Sequence, residues 1–164
     1  MRPTDILYRI LFDLLSDVVY DINMLRLVLD TDVMFAAFHS PAGASRRLLL
    51  EILDGKALLL LSATLMVEYE AVLTRPGNLK KFGIGVADVL SVLDEIAGLC
   101  VPVVFDYRWR PGAADPDDDL VLETAINGAA NAIASFNLAD MRAGAAPFGI
   151  AVERPVDILR RIEP

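Results

Sequence analysis

The chain has a single cysteine and a single histidine, and its Lys and Arg residues number 15 against 23 Asp and Glu. Each shortage removes a class of function. Cys100 has no partner for an internal disulfide and, between Leu99 and Val101, reads as a small core residue rather than a nucleophile. His39 lacks the second His or nearby Cys that a zinc set needs, and is expected in a loop near the mouth of a site. The longest apolar run, Val33-Met34-Phe35-Ala36-Ala37-Phe38, falls far short of the roughly 20 residues that span a bilayer. No G-x-x-x-x-G-K loop is present to cradle phosphates. No signal peptide precedes a small-residue cleavage site, so the cytoplasm is the expected compartment. A net charge of −8 argues against broad, sequence-blind nucleic-acid binding, which runs on phosphate neutralisation by cations. Local tracks remain open to it at Arg46-Arg47, Arg75, Lys80-Lys81 and Arg108 with Arg110.

Apolar residues, by contrast, are plentiful. They make up 55% of the 164 residues, with a mean hydropathy of +0.47. That length fits one domain able to bury about two thirds of its extended surface. The apolar surplus is expected in a core covered on both sides of a sheet, and in a dimer face. Residues 1–23 stand apart. Ile6, Leu7, Ile10, Leu11, Leu14, Leu15, Val18 and Val19 form a helical stripe, with Asp5, Asp13, Asp17 and Asp21 off it. This segment is either an added amphipathic helix or translated upstream sequence, and the main domain is read as 24–164.

From Leu25 onward strands and helices alternate. Strands are expected at Leu25–Leu29, Ala57–Leu61, Val101–Val104, Ala132–Ala134 and Ile150–Val152. Helices are expected at Ala44–Leu53 (stopped by Asp54-Gly55), from a Ser62 cap to Leu73, at Val86–Leu99, at Asp119–Gly128 and at Pro155–Ile162. Tyr107–Pro116 reads as loop and Asn137–Met141 as a short helical turn. Apolar strands separated by helices predict an α/β fold with a mostly parallel sheet and helices on both faces.

Acidic residues recur where strands end and helices begin, the edge at which parallel sheets bind ligands. Asp30 follows a strand, although a short polar residue there is also an ordinary strand ending. Glu68 shares a helix face with Leu65 and Val72, and Glu70 is turned elsewhere. Asp115-Pro116-Asp117-Asp118-Asp119 holds more carboxylates than a helix start needs for its dipole, where each contributes about 0.3–1 kcal/mol. Their mutual repulsion calls for a cation or full solvation. Asp119 is best placed to point back over the sheet, with Asp117 and Asp118 as alternatives. Asn137 and Asp140 lie at i and i+3 and can face one side, although Asn137 also suits a plain helix cap. Oxygen donors of this kind suit Mg²⁺ or Mn²⁺.

These motifs, in their order, resemble the PIN-domain family. The residues that carry the likeness are Leu27-Val28-Leu29-Asp30-Thr31-Asp32-Val33, Ser62 through Glu68 to Leu73 with Arg75-Pro76, and Asp115–Asp119. Ala125-Ile126-Asn127-Gly128, Ile133 through Met141, and Ile150 through Pro155 complete the set. The likeness is to the toxin components of toxin–antitoxin systems, the VapC-like ribonucleases. It implies a three-layer α/β/α fold, metal-dependent endoribonuclease activity on RNA, a homodimer, and a cognate antitoxin that blocks the site. It further implies Asp30, Asp119 and Asp140 as metal residues, with Glu68 and Asn137 completing the catalytic set. Ser135 keeps the hydroxyl of a usual Thr. Asp32 replaces a usual Asn, Asn131 a usual Asp, and Met141 a usual Phe. Those departures keep a second reading open: a non-catalytic PIN-like interaction module with a degenerate metal site.

Overall fold

Five short strands, β1 (Arg26–Leu29), β2 (Leu58–Ser62), β3 (Val101–Val103), β4 (Ala132–Ala134) and β5 (Ala151–Glu153), form one sheet in the order β3-β2-β1-β4-β5. All neighbours run parallel. The computed structural model describes residues 24–106 and 116–163, with the side chains of 116–119 outside that description. The expected helix over residues 1–23 and the loop from Tyr107 to Asp115 therefore lie outside the described residues.

The helices are α1 (Thr31–His39), α2 (Ala44–Leu53), α3 (Ala63–Leu73), α4 (Pro76–Phe82), α5 (Val86–Leu99), α6 (Pro116–Asn127), α7 (Leu138–Ala145) and α8 (Pro155–Ile162). Parallel strands require crossovers, and these are right-handed almost without exception. The sheet grows one way from β1 to β3 and the other way from β1 to β5, so the crossover helices fall on opposite faces. A sheet covered twice needs strands that are apolar throughout. Leu27, Val28, Leu29, Leu60, Ala132, Ile133 and Ala134 are accordingly all fully buried. Burying each leucine contributes about 1.5–3 kcal/mol.

Three helices depart from the expected pattern. The apolar run Val33–Phe38 belongs to α1, which begins at once after Asp30 and buries Val33, Met34, Ala37 and Phe38. His39 is the last residue of that helix rather than a loop residue. Its ring lies 5.6 Å from that of Phe35. Nine helical residues rise about 13 Å, so His39 stands at the end of α1 remote from Asp30. Pro76 does not merely stop α3; it starts α4, because proline at a first helical position loses no hydrogen bond. α7 also outruns the expected turn and reaches Ala145. Cys100 is half-buried against the core edge, where burial pushes its thiol pKa up.

The turn after α6 seats the central strand. Asn131 accepts the Arg26 backbone N–H on its side-chain oxygen at 2.7 Å, and its own N–H donates to the Arg26 carbonyl at 2.9 Å. An amide oxygen thus does there what the usual carboxylate would do. Gly128 cannot carry a side chain, since a Cβ would sit 2.9 Å from Leu60 Cδ1, Val103 Cγ2 and the Thr124 carbonyl. The left-handed position instead falls on Ala129, at φ 49°. Gly128→Ala is expected to destabilise by about 1–3 kcal/mol through overpacking. Ala129→Gly is expected to stabilise by roughly 0.5–1 kcal/mol, as relief of left-handed strain exceeds the added unfolded-state entropy. Urea unfolding of the two variants checks both signs.

Candidate active site

β1 and β4 are the strands from which the sheet grows in opposite directions, and a crevice opens at their carboxyl ends. Asp30 leaves β1 there and Ser135 leaves β4. The Asp30 backbone N–H continues the sheet by donating to the Ala134 carbonyl at 2.9 Å, and that of Ser135 to the Glu153 carbonyl at 3.0 Å. Both residues are therefore held by strand pairing rather than by loop conformation. The Ser135 hydroxyl donates to Asp30 Oδ2 at 2.5 Å and accepts the Asn137 backbone N–H at 3.0 Å. A charge-assisted O–H···O⁻ bond has this length.

Asp30 is 7% exposed. Burial raises its pKa from the ordinary 3.8, and hydrogen bonds from Ser135, from the Thr31 and Asp32 backbone, and with the Asp32 side chain pull it part of the way back. Asp32 Oδ2 also accepts the Phe136 backbone N–H at 3.3 Å. Two carboxyl groups in hydrogen-bond reach of each other share either a proton or a cation. Beneath them lies Tyr69 of α3, fully buried, whose hydroxyl donates to the Leu29 carbonyl. Its pKa is driven well upward, first by burial and then by the charges of Asp30 and Asp32. Tyr69 is thus a permanent donor that ties α3 to the end of β1.

The Tyr69 tie fixes the neighbouring Glu68. Glu68 is half-buried and, with Ala63, Thr64, Val67, Ala71 and Leu120, lines a shallow hollow of about 410 Å³. Leu120 directly follows Asp119, so the hollow joins Glu68 to the second turn of α6. A hydroxyl chain holds those two helices together. Ser62 caps α3 by accepting the Leu65 N–H at 3.2 Å. The Thr124 hydroxyl donates to the Leu120 carbonyl at 2.7 Å. The 2.8 Å contact between the two oxygens therefore uses the Ser62 proton.

The other expected residues are more dispersed. Asn137 occupies the position before α7 without capping it through its side chain, and Asp140 is exposed in the first turn of α7. Glu70 points to solvent. The side chain of Asp119, like those of Asp117 and Asp118, lies outside the described residues. Among the described residues, no three acidic, histidine or cysteine side chains gather closely enough to hold an ion. Glu123 escaped the sequence reading. It is 4% exposed, its Oε1 has no partner among the described residues, and it sits one turn beyond Asp119 on the same helix. Its signal was an acid set inside the otherwise apolar stretch Leu120-Val121-Leu122-Glu123.

The family model of the PIN domain matches residues 26–139. That span covers more than half of the chain, and the protein belongs to the PIN-domain family. PIN domains are generally nucleases and typically use divalent metal ions. No curated protein matches the chain. No helix among the described residues is long and apolar enough to cross a membrane.

The raised Asp30 pKa has a stability consequence with a definite sign. Between 3.8 and its higher folded value, the folded protein keeps a proton that the unfolded chain releases. Without divalent cations, stability therefore falls as pH rises through that window and stays lower above it. Asp30→Asn keeps an acceptor for Ser135 and removes the charge. It is expected to unfold at a higher temperature than the parent at pH 7 in EDTA, with a flatter profile from pH 4 to 7. Thermal melts across that range provide the check, and a variant less stable than the parent at pH 7 would contradict the assignment.

Proposed function

We propose that the chain is a Mg²⁺- or Mn²⁺-dependent endoribonuclease, the toxin of a type II toxin–antitoxin pair, acting in the cytoplasm. The observation that carries this reading is the buried Asp30 carboxyl, anchored 2.5 Å from the Ser135 hydroxyl at the sheet's switch point. A second carboxyl, Asp32, lies beside it.

The residues present fit a hard divalent cation. All the donors are oxygens, and the buried carboxyl is driven toward its neutral form unless positive charge is supplied. Asp30, Asp119 and Asp140 would hold the ion. Once bound, such a cation polarises a phosphoryl oxygen and lowers the pKa of a water for in-line attack. The chain does the rest by positioning. Ser135 fixes the direction of Asp30, and Asn137 and Asp140 share one side of α7. Glu68 lines the same hollow as Leu120, the residue after Asp119. No lysine or histidine is among these residues, so proton removal from the attacking water falls to a carboxylate. The cognate antitoxin that covers the site, and assembly as a homodimer, rest on the family resemblance.

Cleavage of single-stranded RNA by the purified protein, with and without Mn²⁺, tests the reading. Asp30→Ala and Asp119→Ala are each expected to cut at least about 100-fold more slowly than the parent. Equal rates in all three proteins would remove the nuclease and leave the non-catalytic interaction module.

A further inference from the structure

We propose that Arg75, Lys80 and Lys81, together with the rings of Phe35, His39 and Phe82, form a docking track for single-stranded RNA that leads into the candidate site. The proposal rests on the ribonuclease reading and names the surface that brings substrate to it.

The first observation is electrostatic. Most cations among the described residues are already engaged. Among the described residues, Arg47, Lys56, Arg160 and Arg161 sit on carboxylates. Arg26, Arg46 and Arg142 sit on backbone carbonyls. Arg75, Lys80 and Lys81 are exposed and, like the isolated Arg154, have no carboxylate partner among the described residues. They fall within seven consecutive residues around α4. On a protein of net charge −8 a polyanion is repelled broadly, so a compact group of uncompensated cations decides where it lands.

The second observation is the aromatic surface beside them. The Phe35 and Phe82 ring centroids are 5.1 Å apart, and the Lys81 ammonium lies 5.6 Å from that of Phe35. Phe35 and Phe82 are half-buried and His39 is exposed, so ring surface remains at the protein boundary. Cations interleaved with rings suit single strands, whose phosphates meet the charges and whose bases stack on the rings. An acidic protein segment would use the charges and leave the rings without a role.

The third observation is continuity. Phe35 is five residues beyond Asp30 on α1, about 7–8 Å along the axis. The patch thus shares α1 with the candidate site, with Phe35 at its near edge and His39 at its far edge.

Binding of a labelled, unstructured RNA is to be followed by fluorescence anisotropy from low to high salt, in an Asp30→Asn background that leaves the strand uncut. The combined Arg75→Glu, Lys80→Glu and Lys81→Glu variant is expected to lose at least tenfold in affinity at low salt. Its slope of log K against log salt is expected to fall by about 2, at roughly 0.7 per phosphate contact. Arg47→Glu, a charge reversal on α2, is expected to leave both within about twofold. An unchanged affinity and slope in the triple variant overturns the track and leaves the cleavage reading standing. Preferential binding of polyglutamate over RNA, lost in the same variant, overturns the RNA assignment. Patch-dependent RNA binding by a parent protein that fails to cut RNA would uphold the track and reject the nuclease.

Discussion

The structure turns on one buried carboxyl group. Asp30 ends the central strand, and every nearby element supplies something that fixes it. Its own N–H continues the β1–β4 ladder, and the Ser135 hydroxyl reaches it from the next strand. Tyr69 pins the carbonyl immediately before it. An apolar residue at this place would be easier to bury, because a desolvated carboxylate costs free energy that its hydrogen bonds only partly return. A cost kept at the convergence point of a parallel sheet fits a site built for chemistry rather than for stability.

The two faces of the sheet divide the work. On one face, α1 and α3 converge on Asp30, the first by starting at it and the second through Tyr69. On the other, α6 is placed by Gly128 packing against Leu60 and Val103 and by the hydroxyl chain from Ser62 through Thr124. Both helices begin at the same edge of the sheet. Glu68 and Leu120 of α6 line one hollow there although about fifty residues separate them in sequence.

Much of the frame was legible before any coordinates. Ala44–Leu53, Val86–Leu99, Ala132–Ala134 and Pro155–Ile162 form where periodicity, capping and proline placement put them. α1 was missed because Val33–Phe38 is apolar on nearly every side and shows no 3.6-residue rhythm. α4 was missed because Pro76 reads both as a stop and as a start. Within the site, Asp30 stood out by its position after a strand. Tyr69, Thr124 and Glu123 did not, since their roles arise from which element packs against which, and one sequence carries no direct record of that. Asp119 falls on α6 directly before Leu120, which lines the hollow beside Glu68.

The sheet order has a consequence for the birth of the molecule. β1 leaves the ribosome first, yet one of its two neighbours, β4, lies more than a hundred residues downstream, and Asp30 and Ser135 are 105 positions apart. Closing so wide a loop is a late event in folding. A nascent chain displaying β1, β2 and β3 has only one side of its crevice. The centre is assembled only once β4 has emerged, and a product cut short before it would carry Asp30 and Glu68 without the geometry that arms them.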